Sequence, residues 1–148
     1  MTIFSNSKIV VDSGFVYLSL LPNPQQAKLQ QRFNTWQTNG VTLHAPTLWH
    51  YEFVSAITKA VYFKQLSRAE AEVVLELGKI FDIQFYRPDA VLNRIAFDWT
   101  LKLQRTNAYD SFYLALAQQL QCPFWTADQR LYRAANVAWV HYVGAESD

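Results

Sequence analysis

Four of the chain's twelve acids stand where side chains could converge on chemistry. Asp12 directly follows the apolar run Ile9, Val10, Val11. Glu52 lies inside a segment with helical spacing, on the same side as Leu48, Ser55, Ala56 and Lys59. Asp110 and Asp128 belong to the stretch NAYDSFYLALAQQLQCPFWTADQRL, the first in the opening turn of a helix and the second just past a short strand. Four carboxylates sharing one crevice would repel, and some would keep protons with raised pKa values unless a counter-ion offset them. All-oxygen ligands suit a hard divalent cation, Mg2+ or Mn2+. Zinc would lack its usual ligands, because Cys122 is the sole cysteine and His44, His50 and His141 have no ligand spacing. Each acid taken alone also has a plainer reading. Asp12 could cap the next helix, Asn107 with Asp110 and Thr126 with Gln129 resemble capping pairs, and Glu52 could be a solvated helix acid.

The elements that must position these acids alternate between strands and helices. Residues 9–11 are apolar without alternation, the mark of a strand buried on both faces of a parallel sheet. A short helix over 15–21 ends before Pro22, and Asn23 and Pro24 read as the cap and first-turn proline of another that stops near Gly40. A second strand over 41–45 ends at Pro46, with Thr47 placed to cap the helix carrying Glu52. Ser67 and Glu70 form a capping box for a helix ending near Gly78. Phe81, Ile83 and Phe85 alternate with polar residues as in a half-covered or short edge strand. Pro88 opens a helix with the stripe Val91, Leu92, Ile95, Ala96, Trp99 and Leu103. The next has an apolar face of Tyr109, Phe112, Tyr113, Leu116, Ala117 and Leu120. A strand over 124–126, a helix through Leu131 and Ala135 and a strand over 137–143 follow, and the tail 144–148 reads as disordered. This alternation predicts an α/β fold, a three-layer sandwich with a central, mainly parallel sheet, in one domain covering 1–148. In such sheets ligands bind beyond the carboxyl ends of the strands, where Asp12 stands.

Composition supports a packed globule, with 51% hydrophobic, 16% aromatic and 17% charged residues in 148. A net charge of +1 excludes a protein that grips nucleic acid through one large basic face, so a polyanion would be held locally. The lone cysteine fits a reducing compartment and a buried filler role. The start MTIFSNSK lacks an apolar leader core, and no apolar run approaches the ~20 residues of a membrane span, so the expectation is a soluble, cytoplasmic protein.

The segments IVVDSGFVYLSLLP, APTLWHYEFVSAITKA, TNAYDSFYLALAQQL and PFWTADQRL resemble, in order and spacing, the four motif regions of PIN-domain proteins, particularly the VapC-type toxins of toxin–antitoxin pairs. The likeness covers nearly the whole chain. It implies a PIN-like fold and a Mg2+- or Mn2+-dependent endoribonuclease in which a metal-activated water attacks the RNA phosphodiester. It further implies that Asp12, Glu52, Asp110 and Asp128 form the catalytic and metal-binding cluster, Asp12 and Asp110 foremost, with Ser13 and Thr126 as supporting polar neighbours. A cognate antitoxin and a homodimer are the partners it implies. Lys59, Arg105, Arg130 and Arg133 are candidate RNA contacts, against the plainer reading of solvated helix charges. Trp49, His50 and Tyr51 depart from the small aliphatic residues typical ahead of the Glu, which changes the shape of the pocket. The competing expectation is a catalytically silent PIN-like module that binds RNA or a partner. A phospho-receiver fits poorly, since Ser13 and Gly14 follow Asp12 where a second acid is needed, and the tail from Asn136 has no lysine.

Overall fold

A computed structural model of the chain describes residues 7–145. Five strands, β1 (Lys8–Val11), β2 (Thr42–Pro46), β3 (Gln84–Tyr86), β4 (Phe124–Thr126) and β5 (Val140–Tyr142), form a single sheet in the order β3-β2-β1-β4-β5. Every pairing is parallel. Ile9, Val10 and Val11 are buried, as are all three residues of β4, because helices cover both faces of the sheet. Among the described residues seven helices provide that cover: α1 (Ser13–Ser19), α2 (Gln26–Thr38), α3 (Leu48–Tyr62), α4 (Arg68–Leu77), α5 (Ala90–Lys102), α6 (Tyr109–Leu120) and α7 (Gln129–Ala135). α1 packs on α2 and α3, and α3 on α4, while α5 and α6 pack together, with α6 laid across β1, β2 and β4. The result is the three-layer α/β sandwich expected.

Strand β4 shows how the layers interlock. Phe124 stacks on Tyr113 of α6 at 5.6 Å, and the next residue, Trp125, points the other way to meet Phe15 of α1 and Trp36 of α2 at 6.1 and 5.6 Å. α6 is buried from Ser111 through Ala117 on nearly all sides. It is therefore a central helix, and the one-sided face expected for it is corrected at two points: Leu114 and Ala115 are also buried, while Tyr109 is 66% exposed.

Several local expectations change in detail. The Ser67 and Glu70 capping box forms as read. Asn23 does not cap α2, which begins three residues later; its side chain instead ties a turn through Leu18 and Leu21 carbonyls and the Gln25 amide. Thr47 holds the N-cap position of α3 without making a side-chain cap bond. Asp89, not Pro88, starts α5 by accepting from the Leu92 amide. The alternating stretch 81–85 yields an edge strand of three residues, since Gly78–Phe81 winds into a 3-10 turn and Asp82 takes a left-handed conformation. The final strand is shorter than the expected 137–143. Of the expected disordered tail, Gly144 and Ala145 belong to a 3-10 turn, Val143–Ala145, and residues 146–148 lie outside the described residues, as does the start 1–6. Cys122 is fully buried, the filler it was read to be. No described helix is long and apolar enough to cross a membrane.

Because α6 carries Asp110 and is enclosed by both neighbours and sheet, its packing sets the position of that acid. Leu114→Ala, at a residue with no exposed surface, is expected to lower unfolding free energy by about 2–5 kcal/mol in urea denaturation, with the folded circular dichroism spectrum retained.

Candidate active site

The sheet order places β1 in the middle, with β2 and β3 on one side and β4 and β5 on the other. The chain changes direction across the sheet between β1 and β4, and a crevice opens at such a switch point. Asp12 follows β1 and Asp128 follows β4, so both stand at its mouth. Val11 pairs with Trp125, which brings Asp12 level with Thr126.

The Asp12 carboxylate is held from three directions. Oδ1 accepts the Phe15 amide at 2.8 Å, which makes Asp12 the N-cap of α1. Oδ2 accepts the Thr126 hydroxyl at 2.5 Å, and the Ala127 amide reaches both oxygens at 3.2 and 3.3 Å. Gly14 leaves room for that last approach, since a Cβ there would lie a tight 3.3 Å from the Ala127 Cβ. Burial nevertheless outweighs these hydrogen bonds, and with the nearby Glu52 charge it raises the Asp12 pKa to about 7. Thr126 also accepts the Asp128 amide at 2.9 Å, so one hydroxyl joins the turns after β1 and β4. Asp128 in turn caps α7 through the Leu131 amide at 3.0 Å. The capping pairs expected from spacing are thus replaced: Asp128 itself caps α7, and Ala108, not Asn107, holds the N-cap position of α6 without a side-chain bond.

Glu52 reaches the site from the second turn of α3. Its Oε1 accepts the Tyr113 phenol at 2.5 Å, across from α6. Burial raises its pKa, the phenol lowers it, and Asp110 adds to the rise. Asp110, in the first turn of α6, pairs with Arg105 Nη1 at 2.8 Å. Burial and the charge of Asp128 push its pKa up, against the pull of the guanidinium. The charge of Glu52 acts on Asp12, that of Asp110 on Glu52 and that of Asp128 on Asp110. Glu52 and Asp110 share the lining of one open cleft, and Asp12 and Asp128 are not among its lining residues.

Glu52 and Asp110 line an open cleft of about 1180 Å³ with Ser13, Lys59, Arg105 and the rings of Tyr51 and Tyr109. Leu48, Ser55 and Ala56 line it too, the helical side on which the sequence placed Glu52. Of the four candidate cations, Lys59 and Arg105 border the cleft. Arg130 and Arg133 do not, because α7 turns Leu131 and Ala135 into the core and leaves both arginines on its outer surface. The sequence reading missed Tyr113, counted there as part of an apolar face. A buried tyrosine must find a partner for its hydroxyl, and that requirement was the available signal.

Among the described residues no group of three or more Asp, Glu, His or Cys side chains is placed closely enough to hold a metal ion. The acids are instead turned to protein donors: a hydroxyl and amides at Asp12, a phenol at Glu52, the Arg105 guanidinium at Asp110 and a helix amide at Asp128. The donor chemistry still fits a hard divalent cation. The candidate donors are carboxylate oxygens, and burial, with a smaller push from neighbouring carboxylates, disfavours the charged form of Asp12, Glu52 and Asp110, a penalty that a cation would relieve.

The chain is similar to curated and solved proteins of one kind. No family model matches it. A VapC ribonuclease of Mycobacterium bovis and ribonuclease VapC9 of Mycobacterium tuberculosis are each 28% identical to it over 123 residues, 83% of this chain and 87% of theirs. Among solved structures, FitAcB from Neisseria gonorrhoeae superposes with a TM-score of 0.68 at 17% identity, over 93% of this chain and 99% of that one. VapBC2 from Rickettsia felis, bound to a DNA fragment from its promoter, gives 0.67 at 10% identity over 91% and 98%. The fold is PIN-like. The resemblance carried by the four motif segments is thereby borne out, in sequence and in architecture.

Because folded Asp12 keeps its proton up to about pH 7 and an unfolded Asp loses it near 4, the folded state binds more protons within that window. Stability of the metal-free protein is then expected to fall as pH rises from 4 through 7, by at most about 4 kcal/mol from this group. Urea denaturation in a chelating buffer across that range checks the slope, which Asp12→Asn should flatten.

Proposed function

We propose that the chain is a Mg2+- or Mn2+-dependent endoribonuclease, a single domain over 1–148 acting in the cytoplasm as the toxin of a toxin–antitoxin pair. It hydrolyses RNA phosphodiester bonds, is restrained by a cognate antitoxin protein and works as a homodimer. One observation carries this reading: Asp12 and Asp128 follow the two strands that flank the switch point of a PIN-like sheet, with Glu52 and Asp110 in the adjoining cleft, in a chain 28% identical to VapC ribonucleases over 123 residues.

Asp12 and Asp110 would hold the ion, with Glu52 as a further ligand or as the group that orients the attacking water. Asp128 would hold a second ion or act on Asp110 through its charge. When bound, the ion supplies an acidified water and positive charge opposite the phosphoryl oxygens. The protein's own residues do the positioning. The Phe15 and Ala127 amides and the Thr126 hydroxyl fix the direction of Asp12, so it need not reorganise when the reaction occurs. Tyr113 fixes Glu52 from the opposite wall. Ser13 lines the floor beside them, and Lys59 and Arg105 on the border are placed to meet RNA phosphates.

With a fluorescent RNA substrate, Asp110→Asn is expected to cut at least ~100-fold more slowly than wild type while keeping its circular dichroism spectrum. Mn2+ should raise the melting temperature of the wild type, as an ion bound only by the folded form does. An Asp110→Asn protein that cuts RNA at the wild-type rate would sink the reading, and a wild type that neither cuts RNA nor responds to metal would favour the silent module.

A further inference from the structure

Two tyrosines frame the cleft in a way the acid chemistry does not require. Tyr51 is 75% exposed and Tyr109 is 66% exposed, yet both line the same cleft as Glu52 and Asp110. Each is the chain neighbour of one of those acids, Tyr51 preceding Glu52 on α3 and Tyr109 preceding Asp110 at the start of α6. Most of the large rings in this chain are buried in the core, Trp36, Trp49, Phe53, Trp99 and Phe124 among them, or packed partly buried against it. Tyr51 and Tyr109 have no ring partner among the described residues and no polar contact that would hold them outward. The other exposed aromatic pair, Tyr62 and Phe63, contacts itself and lies outside this cleft. The cleft thus has acids at its floor, cations Lys59 and Arg105 at its border and two flat apolar faces open to solvent.

That combination matches a nucleotide chain piece by piece. Lys59 and Arg105 answer phosphates, the acid cluster addresses the phosphodiester to be cut, and a tyrosine ring offers a face to any base. Bases inside an A-form duplex are already stacked on one another and cannot reach such faces, whereas bases in single strands and loops can. Resting on the ribonuclease reading above, we propose that Tyr51 and Tyr109 are base-stacking platforms on the two walls of the cleft, which hold unpaired bases flanking the scissile phosphate and so select single-stranded RNA over duplex. A protein partner could also cover exposed rings, but the acids and cations in the same cleft favour the nucleotide.

The test measures anisotropy of a labelled, unstructured RNA oligonucleotide in Mg2+, with the full chain in an Asp110→Asn background that prevents turnover. Adding Tyr51→Ala or Tyr109→Ala should weaken binding about 5-fold or more, and Tyr51→Phe or Tyr109→Phe should stay within about 2-fold of the parent, because the ring and not the hydroxyl is the platform. The parent should prefer the single strand to the same sequence annealed as a duplex, and the alanine variants should lose that preference. Alanine variants that bind as the parent does overturn the proposal and leave the rings to a protein partner. Phenylalanine variants as weak as alanine overturn it in favour of a hydrogen-bonding hydroxyl. A parent with no affinity for RNA overturns both this proposal and the ribonuclease reading, a pattern distinct from the other two.

Discussion

The structure depends on one constraint: a partly buried Asp12 carboxylate must be held at the junction of β1 and β4. Its oxygens receive an amide from α1, an amide from the turn after β4 and the Thr126 hydroxyl. Those donors come from opposite ends of the sequence, so the clamp closes only when the first and fourth strands lie side by side in the observed register. The same hydroxyl takes the Asp128 amide, which fixes where α7 starts. One small polar group thereby coordinates two strand ends, two helix starts and two of the four acids.

The clamp does not make the site comfortable. Hydrogen bonds favour the charged form of Asp12, and burial disfavours it more strongly, so the carboxyl stays protonated until about neutral pH. Glu52 and Asp110 are shifted in the same direction, chiefly by burial. A fold optimised for stability alone would have placed apolar residues or exposed acids there. Like charges gathered in a partly dry cleft are a strain that a bound cation relieves, which is why electrostatic tension and metal chemistry are found together in sites of this type.

Much of this was readable from residue order. The unbroken Ile9 to Val11 run meant a strand covered on both faces, and the acid behind it stands at that strand's carboxyl end as the cap of α1. Glu52 was placed on the correct side of its helix because 3.6-residue periodicity fixes which neighbours share a face. Tertiary contacts were less legible. Tyr113 and Tyr109 sit four residues apart on one helical stripe, yet one is buried against Glu52 and the other is open to solvent. Periodicity gives the direction of a side chain, and only the packed partner decides whether anything covers it. The position of the α7 arginines was hidden for the same reason: they are near Asp128 in sequence but lie on the exposed side of its helix, away from the lining of the cleft. The pairing of Arg105 with Asp110 was likewise hidden, since Arg105 follows Gln104, whose left-handed conformation redirects the chain after α5 in a way that spacing rules do not describe.

The two outer strands carry a consequence of their own. β3 and β5 are only three residues long, and each exposes few backbone groups that another chain could pair with. The sheet is therefore poorly suited to growing by addition of a strand from a second molecule. Recognition of another protein through side chains on the helical layers would leave undisturbed the backbone ladder that carries the acids.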